Sequence, residues 1–354
     1  MPGPSHEAVL PHHCLWQEAD TFRNAPNSPA EMVAARTKLM SRELFDCWPH
    51  CAQLDPAQPG TPPSARIRGR NGPLKEAELT IGSRNNVQVT GQGPQTVVFA
   101  HGFGCDQTMW RLLAPLFAQT HRVILFDLVG SGCSDLASYD SEKYASLDGY
   151  ASDLLEVINE YSSDIPVIFV GHSVSAMIGV LADIRSPDLF RAHLMISPSP
   201  CYIDDEGYRG GFSRADIESL LNTLDSNYLG WSSTMAPVIM GAPGQPELGA
   251  ELTNSFCRTD PNIAKQFART TFLSDHRAQL PKVQTPTLIV QCSDDLIAPI
   301  EVGAFMERTM PRSTLRIIEN VGHCPHLSAP DACTKAMIEF IGSMEPPGLP
   351  SVGD

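Results

Sequence analysis

One stretch, residues 167–179 with the sequence VIFVGHSVSAMIG, limits most strongly what this chain can fold into. It begins as an apolar run rich in Val and Ile, which is typical of a strand buried on both faces of a parallel sheet. Gly-His-Ser-Val-Ser then leads into a helix-compatible segment. A sharp strand-to-helix turn lifts the hydroxyl of Ser173 clear of the sheet and points the first amides of the helix toward it. The stretch therefore predicts a nucleophilic serine.

This turn departs from the pattern G-x-S-x-G at its last position, where Ser175 stands in place of glycine. Serine is small, so we treat the departure as tolerable, while Gly171 leaves room for the tight turn. The same five residues are also compatible with an ordinary strand-turn-helix. Partner residues elsewhere in the chain must support the chemistry.

From residue 84 onward, apolar runs alternate with helix-compatible segments. The runs that end in small or polar residues are TVVFAHGFG, RVILFDLVGSGCSD, AHLMISPSP, TPTLIVQCSDD and STLRIIENVGH. This alternation predicts an α/β fold with a mostly parallel, doubly wound sheet. Ligands of such sheets bind beyond the carboxyl ends of the strands. We assign residues 76–202 and 280–345 to this sheet domain.

Residues 203–279 interrupt the alternation, because they contain no convincing strand and several short helical patterns. A helical cap, inserted into the sheet domain above the strand ends, would explain the interruption and would enclose an apolar pocket. The bulky residues of these patterns are Phe212, Leu220, Trp231, Met235, Phe267 and Phe272. For any one of them, filling the interior of the cap is at least as good an explanation.

Residues 1–75 differ from the rest of the chain, with recurring prolines and patchy apolar content. We interpret them as an extension or linker, and residues 346–354 as a tail. Apolar side chains at helical intervals in residues 29–48 predict one amphipathic helix, which packs on the core, binds a partner or stays frayed.

A serine hydroxyl becomes a nucleophile when a histidine, oriented by a carboxylate, removes its proton. The chain order Ser, Asp, His is the one expected for a strand-turn-helix nucleophile in a parallel sheet. Two acids follow the strand TLIVQC, and we choose Asp295 over Asp294 because a proline lies four residues beyond it.

Two histidines follow the last predicted strand. We choose His323 as the base over His326, because His323 directly follows the glycine that ends the strand, whereas His326 lies near the start of the last helix. His172 adjoins the nucleophile, but its side chain should point away from the hydroxyl. We expect His172 to be a packing or pocket residue.

The negative charge that develops on the substrate oxygen needs two converging amides. One should be the amide of Val174, directly after the nucleophile, and the other that of Phe103 in the loop His-Gly-Phe-Gly at residues 101–104. The loop alone could be a simple glycine turn. Upstream of a serine turn, and followed in order by acid and histidine, it is much less easily accidental.

The sequence lacks the motifs of several other enzyme and cofactor-binding classes. An aspartate in place of Ser173 would suggest a dehalogenase or epoxide hydrolase, and no P-loop is present. The loop LVGSGCSD lacks the G-x-G-x-x-G spacing and the acidic partner of a dinucleotide site. The residues His12, His13, Cys14, Cys47, His50 and Cys51 lack the second matched pair of a zinc module. We expect no cofactor and no metal.

The chain is acidic, with 25 basic and 40 acidic side chains among 354 residues and a formal charge of -15. This balance argues against nucleic acid or an anionic membrane as a partner. The N-terminal residues contain no apolar run of signal-peptide length, and no stretch has transmembrane length. Ten cysteines are too dilute for a disulfide scaffold. We expect a cytoplasmic protein, also nuclear if the source is eukaryotic.

Together these motifs resemble those of one group of α/β-hydrolases, which includes the bacterial stress-signalling hydrolase RsbQ and the plant karrikin and strigolactone receptors. The resemblance covers residues 84–341 and excludes residues 1–75. The motifs that carry it are AHGFGCDQTMW, HRVILFDLVGSGCSDL, YASLDGY, GHSVSAMIG, SPSPCYIDD, NYLGW, FCRTDP, SDHR, CSDDLIAP and GHCPHLS.

The resemblance implies a four-helix cap over a hydrophobic pocket. It matches Ser173, Asp295 and His323 to the catalytic triad of the family. It matches the pocket-lining residues to Phe103, Phe212, Leu220, Trp231, Met235, Phe272 and Leu296. It also implies slow cleavage of small esters or butenolides, and in several members a cap that moves to engage a protein partner.

Our leading hypothesis is a serine hydrolase acting on a small apolar ester, lactone or butenolide-type ligand. The rival hypothesis is a ligand sensor that signals to a protein partner through its cap. Both hypotheses use the same residues and differ in turnover and in partner binding.

Overall fold

The computed structural model describes residues 80–162 and 164–344, which contain one seven-stranded sheet. The strand order in the sheet is β1-β3-β2-β4-β5-β6-β7. The strands are β1 Gln88–Thr90, β2 Thr96–Ala100, β3 Arg122–Phe126, β4 Val167–His172, β5 Phe190–Ile196, β6 Thr287–Asp294 and β7 Ser313–Val321. Only β1 runs antiparallel, paired with β3, so the sheet is mostly parallel as predicted.

The strand that precedes Ser173 lies at the centre of the sheet. All residues of β4 are buried, and β4 pairs in parallel with β2 on one side and β5 on the other. This burial on both faces explains why β4 begins with four consecutive apolar residues, Val-Ile-Phe-Val. The loops that follow β2, β4 and β5 therefore emerge at the same edge of the sheet.

Helices connect the strands and cover the sheet. They are α1 Ile81–Arg84, α2 Ala114–Phe117, α3 Leu147–Ser162, α4 Val174–Arg185, α5 Arg214–Ser226, α6 Tyr228–Met240, α7 Pro246–Arg258, α8 Pro261–Phe272, α9 Ile300–Thr309, α10 Pro325–Ser328 and α11 Pro330–Ser343. Helix α4 is buried over most of its length, and its Met177 and Val180 belong to the same core as Phe169 of β4. Because α4 is packed into the core and begins directly after Ser173, it holds the backbone at the nucleophile in place.

Four consecutive helices, α5 to α8, occupy the chain between β5 and β6 and form the inserted cap. Their ends are set locally. Ser213 makes a capping box with Asp216, and Asn227 caps α6 through a side-chain bond to the amide of Gly230. Gly241 ends α6 in the left-handed conformation, with φ 65°. The sequence thus encodes the breaks between these helices.

Polar contacts join the cap to the sheet domain. Arg258 of α7 forms a 2.8 Å ion pair with Asp106, and Arg111 forms a 2.7 Å ion pair with Glu251. The Ser255 hydroxyl donates a 2.8 Å bond to the carbonyl of Gly104, in the loop after β2. This loop is therefore bonded directly to the cap.

Some sequence predictions concern residues at the two ends of the chain. The amphipathic helix in residues 29–48, the N-terminal histidines and cysteines, and the tail at 346–354 lie outside the described residues. The exact boundaries of the sheet domain and cap stay predictions. None of the helices described between residues 80 and 344 has the length and apolar composition needed to cross a membrane.

Candidate active site

The turn between β4 and α4 holds Ser173 in a strained conformation. Its φ is 55°, a left-handed value that side chains other than glycine rarely adopt. Gly171 is required two residues earlier, because a Cβ there would lie 2.8 Å from the backbone nitrogen of Ala176. The hydroxyl of Ser175 donates a short bond to the carbonyl of His101. The serine that replaces the expected glycine therefore joins the turn to the end of β2.

Ser173, His323 and Asp295 form one chain of hydrogen bonds. The Ser173 hydroxyl lies 2.8 Å from Nε2 of His323, and Nδ1 of His323 lies 2.7 Å from Oδ2 of Asp295. All three residues are buried. Because the carboxylate accepts the proton on Nδ1, Nε2 is free to accept the proton of the serine. The geometry of a general base at the serine is therefore in place.

The local folding around Asp295 explains why it, rather than its neighbour, faces the histidine. Its other carboxylate oxygen accepts bonds of 2.8 Å and 3.2 Å from the amides of Ile297 and Ala298. Asp294 is exposed, and its carbonyl accepts a 2.7 Å bond from the amide of Gly322. The carboxylate of Asp295 is thus fixed in orientation by the turn that follows β6.

His323 is positioned by the glycine before it and by the cap. Gly322 has φ 106°, and a Cβ on it would lie 1.9 Å from the carbonyl oxygen of Met240. The amide of His323 donates a 2.8 Å bond to the carbonyl of Ile239 in α6. The loop that carries the histidine therefore packs closely against the cap.

The two predicted amides belong to segments that adjoin the nucleophile. Val174 is the first residue of α4, and Phe103 lies in the loop after β2, the strand next to β4. Gly102 makes the approach of this loop possible, because a Cβ there would be 3.3 Å from Cβ of Ser173 and 2.5 Å from Nδ1 of His172. The assignment of the two amides to an oxyanion hole stays a prediction.

A small apolar cavity of about 30 Å³ opens beside Ser173 and His323. Besides those two residues, its lining consists of Phe103, Cys105, His172, Tyr202, Ile239, Leu252, Phe256, Thr271, Phe272, Ile297 and Cys324. The Phe103 ring lies at the centre of an aromatic cluster, with ring centroids 5.6 to 6.2 Å from those of Trp231, Phe256, Phe267 and Phe272. Such a lining favours apolar over charged ligands.

Of the residues predicted for the pocket, Phe103, His172 and Phe272 line the cavity, and Phe212, Leu220, Trp231, Met235 and Leu296 do not. The Trp231 ring contacts two lining residues, since it stacks on Phe256 with 5.8 Å between the ring centroids and lies 6.2 Å from the Phe103 ring. Phe212 and Met235 are buried, whereas Leu220 and Leu296 are half-buried. Phe256, which the family pattern did not suggest, is among the lining residues.

Tyr202 is a lining residue that the sequence reasoning missed. Its hydroxyl lies 3.3 Å from Oγ of Ser173, and burial raises the pKa of Tyr202 to about 12. Because the serine proton points to His323, the tyrosine hydroxyl is the donor to the serine oxygen. Tyr202 follows β5, the strand next to β4, so the rule that parallel strands end at one edge could have identified it.

Two further buried histidines lie near the nucleophile. Nε2 of His172 is 2.9 Å from the carbonyl oxygen of His323, and the centroids of the His172 and His326 rings are 4.5 Å apart. Burial, with the neighbouring His326 and His323, holds the pKa of His172 well below its usual value. Burial likewise lowers the pKa of His326 to about 3. Both rings are neutral at physiological pH.

Comparison with known proteins shows the family to which the chain belongs. The family model described as alpha/beta hydrolase family matches residues 97–336, and the chain therefore belongs to that family. Among curated proteins, karrikin insensitive 2 receptor CA of Petunia hybrida is 37% identical over 258 residues, which are 73% of this chain and 95% of the receptor. Strigolactone esterase RMS3 of Pisum sativum is 38% identical over 247 residues, which are 69% of this chain and 92% of the esterase.

Solved structures give the same fold. A hydrolase from Oleispira antarctica is 44% identical, with a TM-score of 0.72, and the match covers 75% of this chain and 97% of that chain. The predicted fold class and the predicted resemblance to karrikin and strigolactone receptors are thus confirmed.

Proposed function

We propose that this protein hydrolyses a small apolar ester or lactone, with Ser173 as nucleophile, His323 as base and then acid, and Asp295 as the residue that orients the histidine. The observation that carries the proposal is the unbroken chain of hydrogen bonds from Ser173 to Asp295. Ser173 and His323, the first two members of this hydrogen-bonded series, also line the apolar cavity.

The reaction would begin when Oγ of Ser173 attacks the carbonyl carbon of the substrate while Nε2 of His323 takes the hydroxyl proton. The amides of Phe103 and Val174 would donate hydrogen bonds to the oxygen that becomes negative. His323 would then return the proton to the alkoxide as its bond to carbon breaks. In a lactone this alkoxide stays attached to the acyl group on the serine.

A water molecule would complete the cycle. His323 would take a proton from the water as its oxygen attacks the acyl-enzyme, and would return that proton to Ser173 when the ester bond breaks. Asp295 would stabilise the protonated imidazole throughout. Tyr202 is placed to hold the serine oxygen between turnovers, at 3.3 Å.

The substrate class follows from the lining and from the relatives. The cavity is apolar and small, which favours compact carbonyl compounds without charge. Two relatives carry the names karrikin insensitive 2 receptor and strigolactone esterase. We propose a butenolide-type lactone, or an ester of similar size, as the substrate of this chain.

The second candidate function is a ligand sensor whose cap signals to a protein partner. One observation favours it. The loop of His323 is bonded to the cap at Ile239, and Gly322 packs against Met240 without space for a Cβ. A change in the cap would therefore move the catalytic histidine, and a ligand that reacts with this histidine would in turn alter the cap.

Turnover kinetics distinguish the two functions. We expect the wild-type protein to release product from a fluorogenic ester over many turnovers, and Ser173→Ala to be inactive on the same ester. Intact-protein mass spectrometry after incubation with a butenolide would show an unmodified chain for an enzyme. A stable adduct on Ser173 or His323, formed in a single turnover, would support the sensor. Full activity of Ser173→Ala would contradict both.

A further inference from the structure

Three buried side chains near the nucleophile form a cluster that the proposed hydrolysis does not use. They are His172, Cys324 and His326, and their potential ligand atoms all lie within 4.8 Å of one another. All three are at most 2% exposed. His172 directly precedes Ser173, and the other two follow His323 within three residues. The cluster therefore adjoins both the proposed nucleophile, Ser173, and the proposed base, His323, along the chain.

The nitrogens of this cluster lack partners. Nδ1 of His172 and both ring nitrogens of His326 have no hydrogen-bond partner among the described residues. Leaving buried polar atoms unpaired lowers stability, so native proteins seldom tolerate several together. These nitrogens are the kind of group that a bound ligand satisfies.

The tautomer of His172 suits a metal ligand. Its Nε2 proton is donated to the carbonyl oxygen of His323 at 2.9 Å, which leaves a lone pair on Nδ1. Histidines that bind metals commonly donate their other ring proton to a backbone carbonyl in this way. A Cβ on Gly102 would lie 2.5 Å from this Nδ1, so the glycine keeps the space before it open.

The donor set and the spacing suit a borderline or soft ion. Two imidazoles and one thiolate are ligands of Zn²⁺, with bonds of about 2.0–2.1 Å to nitrogen and about 2.3 Å to sulfur. Tetrahedral bonds of these lengths place ligand atoms roughly 3.3–3.6 Å apart. Ligand atoms within 4.8 Å of one another are therefore within reach after small side-chain rotations.

We propose that His172, Cys324 and His326 bind a Zn²⁺ ion. On binding, the Cys324 thiol loses its proton to the solvent as the zinc–sulfur bond forms, and the two imidazoles donate lone pairs. His172 and Cys324 also line the cavity beside Ser173, which gives the ion a route of entry and leaves room for a water as fourth ligand. The bound ion occupies space that the substrate needs, so Zn²⁺ inhibits hydrolysis reversibly.

Direct metal binding is the first test. Co²⁺ serves as the probe, because a cobalt–thiolate bond absorbs in the near ultraviolet whereas cobalt bound to nitrogen and oxygen alone does not. We expect the full-length, reduced protein to show this band and Cys324→Ser to have lost one equivalent of it. The exposed Cys133 gives a matched control, since Cys133→Ser should keep the band. A variant carrying Cys14→Ser, Cys47→Ser and Cys51→Ser should also keep it.

Zinc inhibition is the second test, with activity of each variant expressed relative to its own metal-free value. We expect Zn²⁺ to inhibit the wild type, chelator to restore activity, and both Cys324→Ser and His326→Gln to need about tenfold more Zn²⁺ or higher. Equal inhibition of wild type and both variants would place the ion on the Ser173 and His323 pair and overturn the proposal. So would a cobalt–thiolate band unchanged in Cys324→Ser. If one variant fails to fold by circular dichroism, the other decides.

Discussion

At the scale of single residues, the site depends on the unusual backbone conformation of Ser173 and on the contacts that surround it. Ser173 has φ 55°, and its strain is maintained by the buried strand before it and the buried helix after it. Ser175, which departs from the usual glycine pattern, bonds to the carbonyl of His101. The departure thus adds a contact between the first turn of α4 and the end of β2.

The choice between two adjacent carboxylates gives the first prediction. Asp295→Asn should lower kcat for a small ester by about 10⁴-fold, because the amide stabilises the wrong histidine tautomer and does not stabilise the imidazolium. Asp294→Asn is the matched control and should retain activity, because Asp294 is exposed. Steady-state kinetics on both variants decide. A loss in Asp294→Asn alone would contradict the assignment.

The residues that could be predicted from the sequence are those marked by a short local motif. Ser173, Asp295 and His323 each follow an apolar run and a short motif, and the structure brings the three together. Tyr202 and Phe256 lie within the motifs SPSPCYIDD and FCRTDP, but neither motif marks them as lining residues. The end of β5 could have pointed to Tyr202, whereas the place of Phe256 depends on how the cap helices pack, which no short pattern encodes.

At the scale of elements, the loop after β7 joins the catalytic histidine to the cap. The amide of Gly322 bonds to Asp294 and that of His323 to Ile239 in α6, so one turn contacts both β6 and the cap. Strands β2 to β7, and their mostly parallel pairing, were predictable from apolar runs that alternate with helix-compatible segments. The tilt and contacts of α5 to α8 were not, because amphipathic patterns show which face is buried but not against what.

This loop gives the second prediction. Gly322→Ala should lower the free energy of unfolding by about 2 to 4 kcal/mol and reduce activity, because its Cβ would meet the Met240 carbonyl at 1.9 Å and its φ is 106°. Gly342→Ala is the matched control, since a Cβ there meets nothing within 4 Å. Urea unfolding measures both. Equal stability of the two variants would show that the loop relaxes freely.

At the scale of the whole molecule, the cavity is small for a ligand site. Its volume is about 30 Å³, whereas pockets for drug-sized ligands have roughly 300–1,000 Å³. A substrate therefore enters by displacing aromatic side chains or the cap. The ion pair of Arg258 with Asp106 joins a mostly exposed side chain of the cap to a buried carboxylate of the sheet domain.

The small cavity gives the third prediction. The value of kcat/KM should fall steeply from p-nitrophenyl acetate to butyrate to octanoate, because longer acyl groups need more displacement. Phe256→Ala should reduce this decline, since its ring lines the cavity. Leu229→Ala, at an exposed position of α6, is the control and should leave the preference unchanged. A wild-type preference for octanoate would contradict the closed cavity.

The fold class was predictable because apolar strands alternate with helices along the chain, and the family because its motifs follow one another in the expected order. The extent of the domains and the roles of the site residues stay predictions. Much of the apolar interior of the cap could not be separated from the pocket by sequence alone. Trp231 illustrates this, because its ring stacks on Phe256, which lines the cavity, while Trp231 itself does not.

The central claim is that Ser173 is the nucleophile, and the most direct measurement is kcat of Ser173→Ala on p-nitrophenyl acetate beside Ser175→Gly. The account predicts a loss on the order of 10⁴- to 10⁶-fold in Ser173→Ala. Ser175→Gly, which loses one hydrogen bond to His101 and restores the usual glycine, should stay within about tenfold of wild type. Comparable activity in Ser173→Ala and wild type would contradict the account.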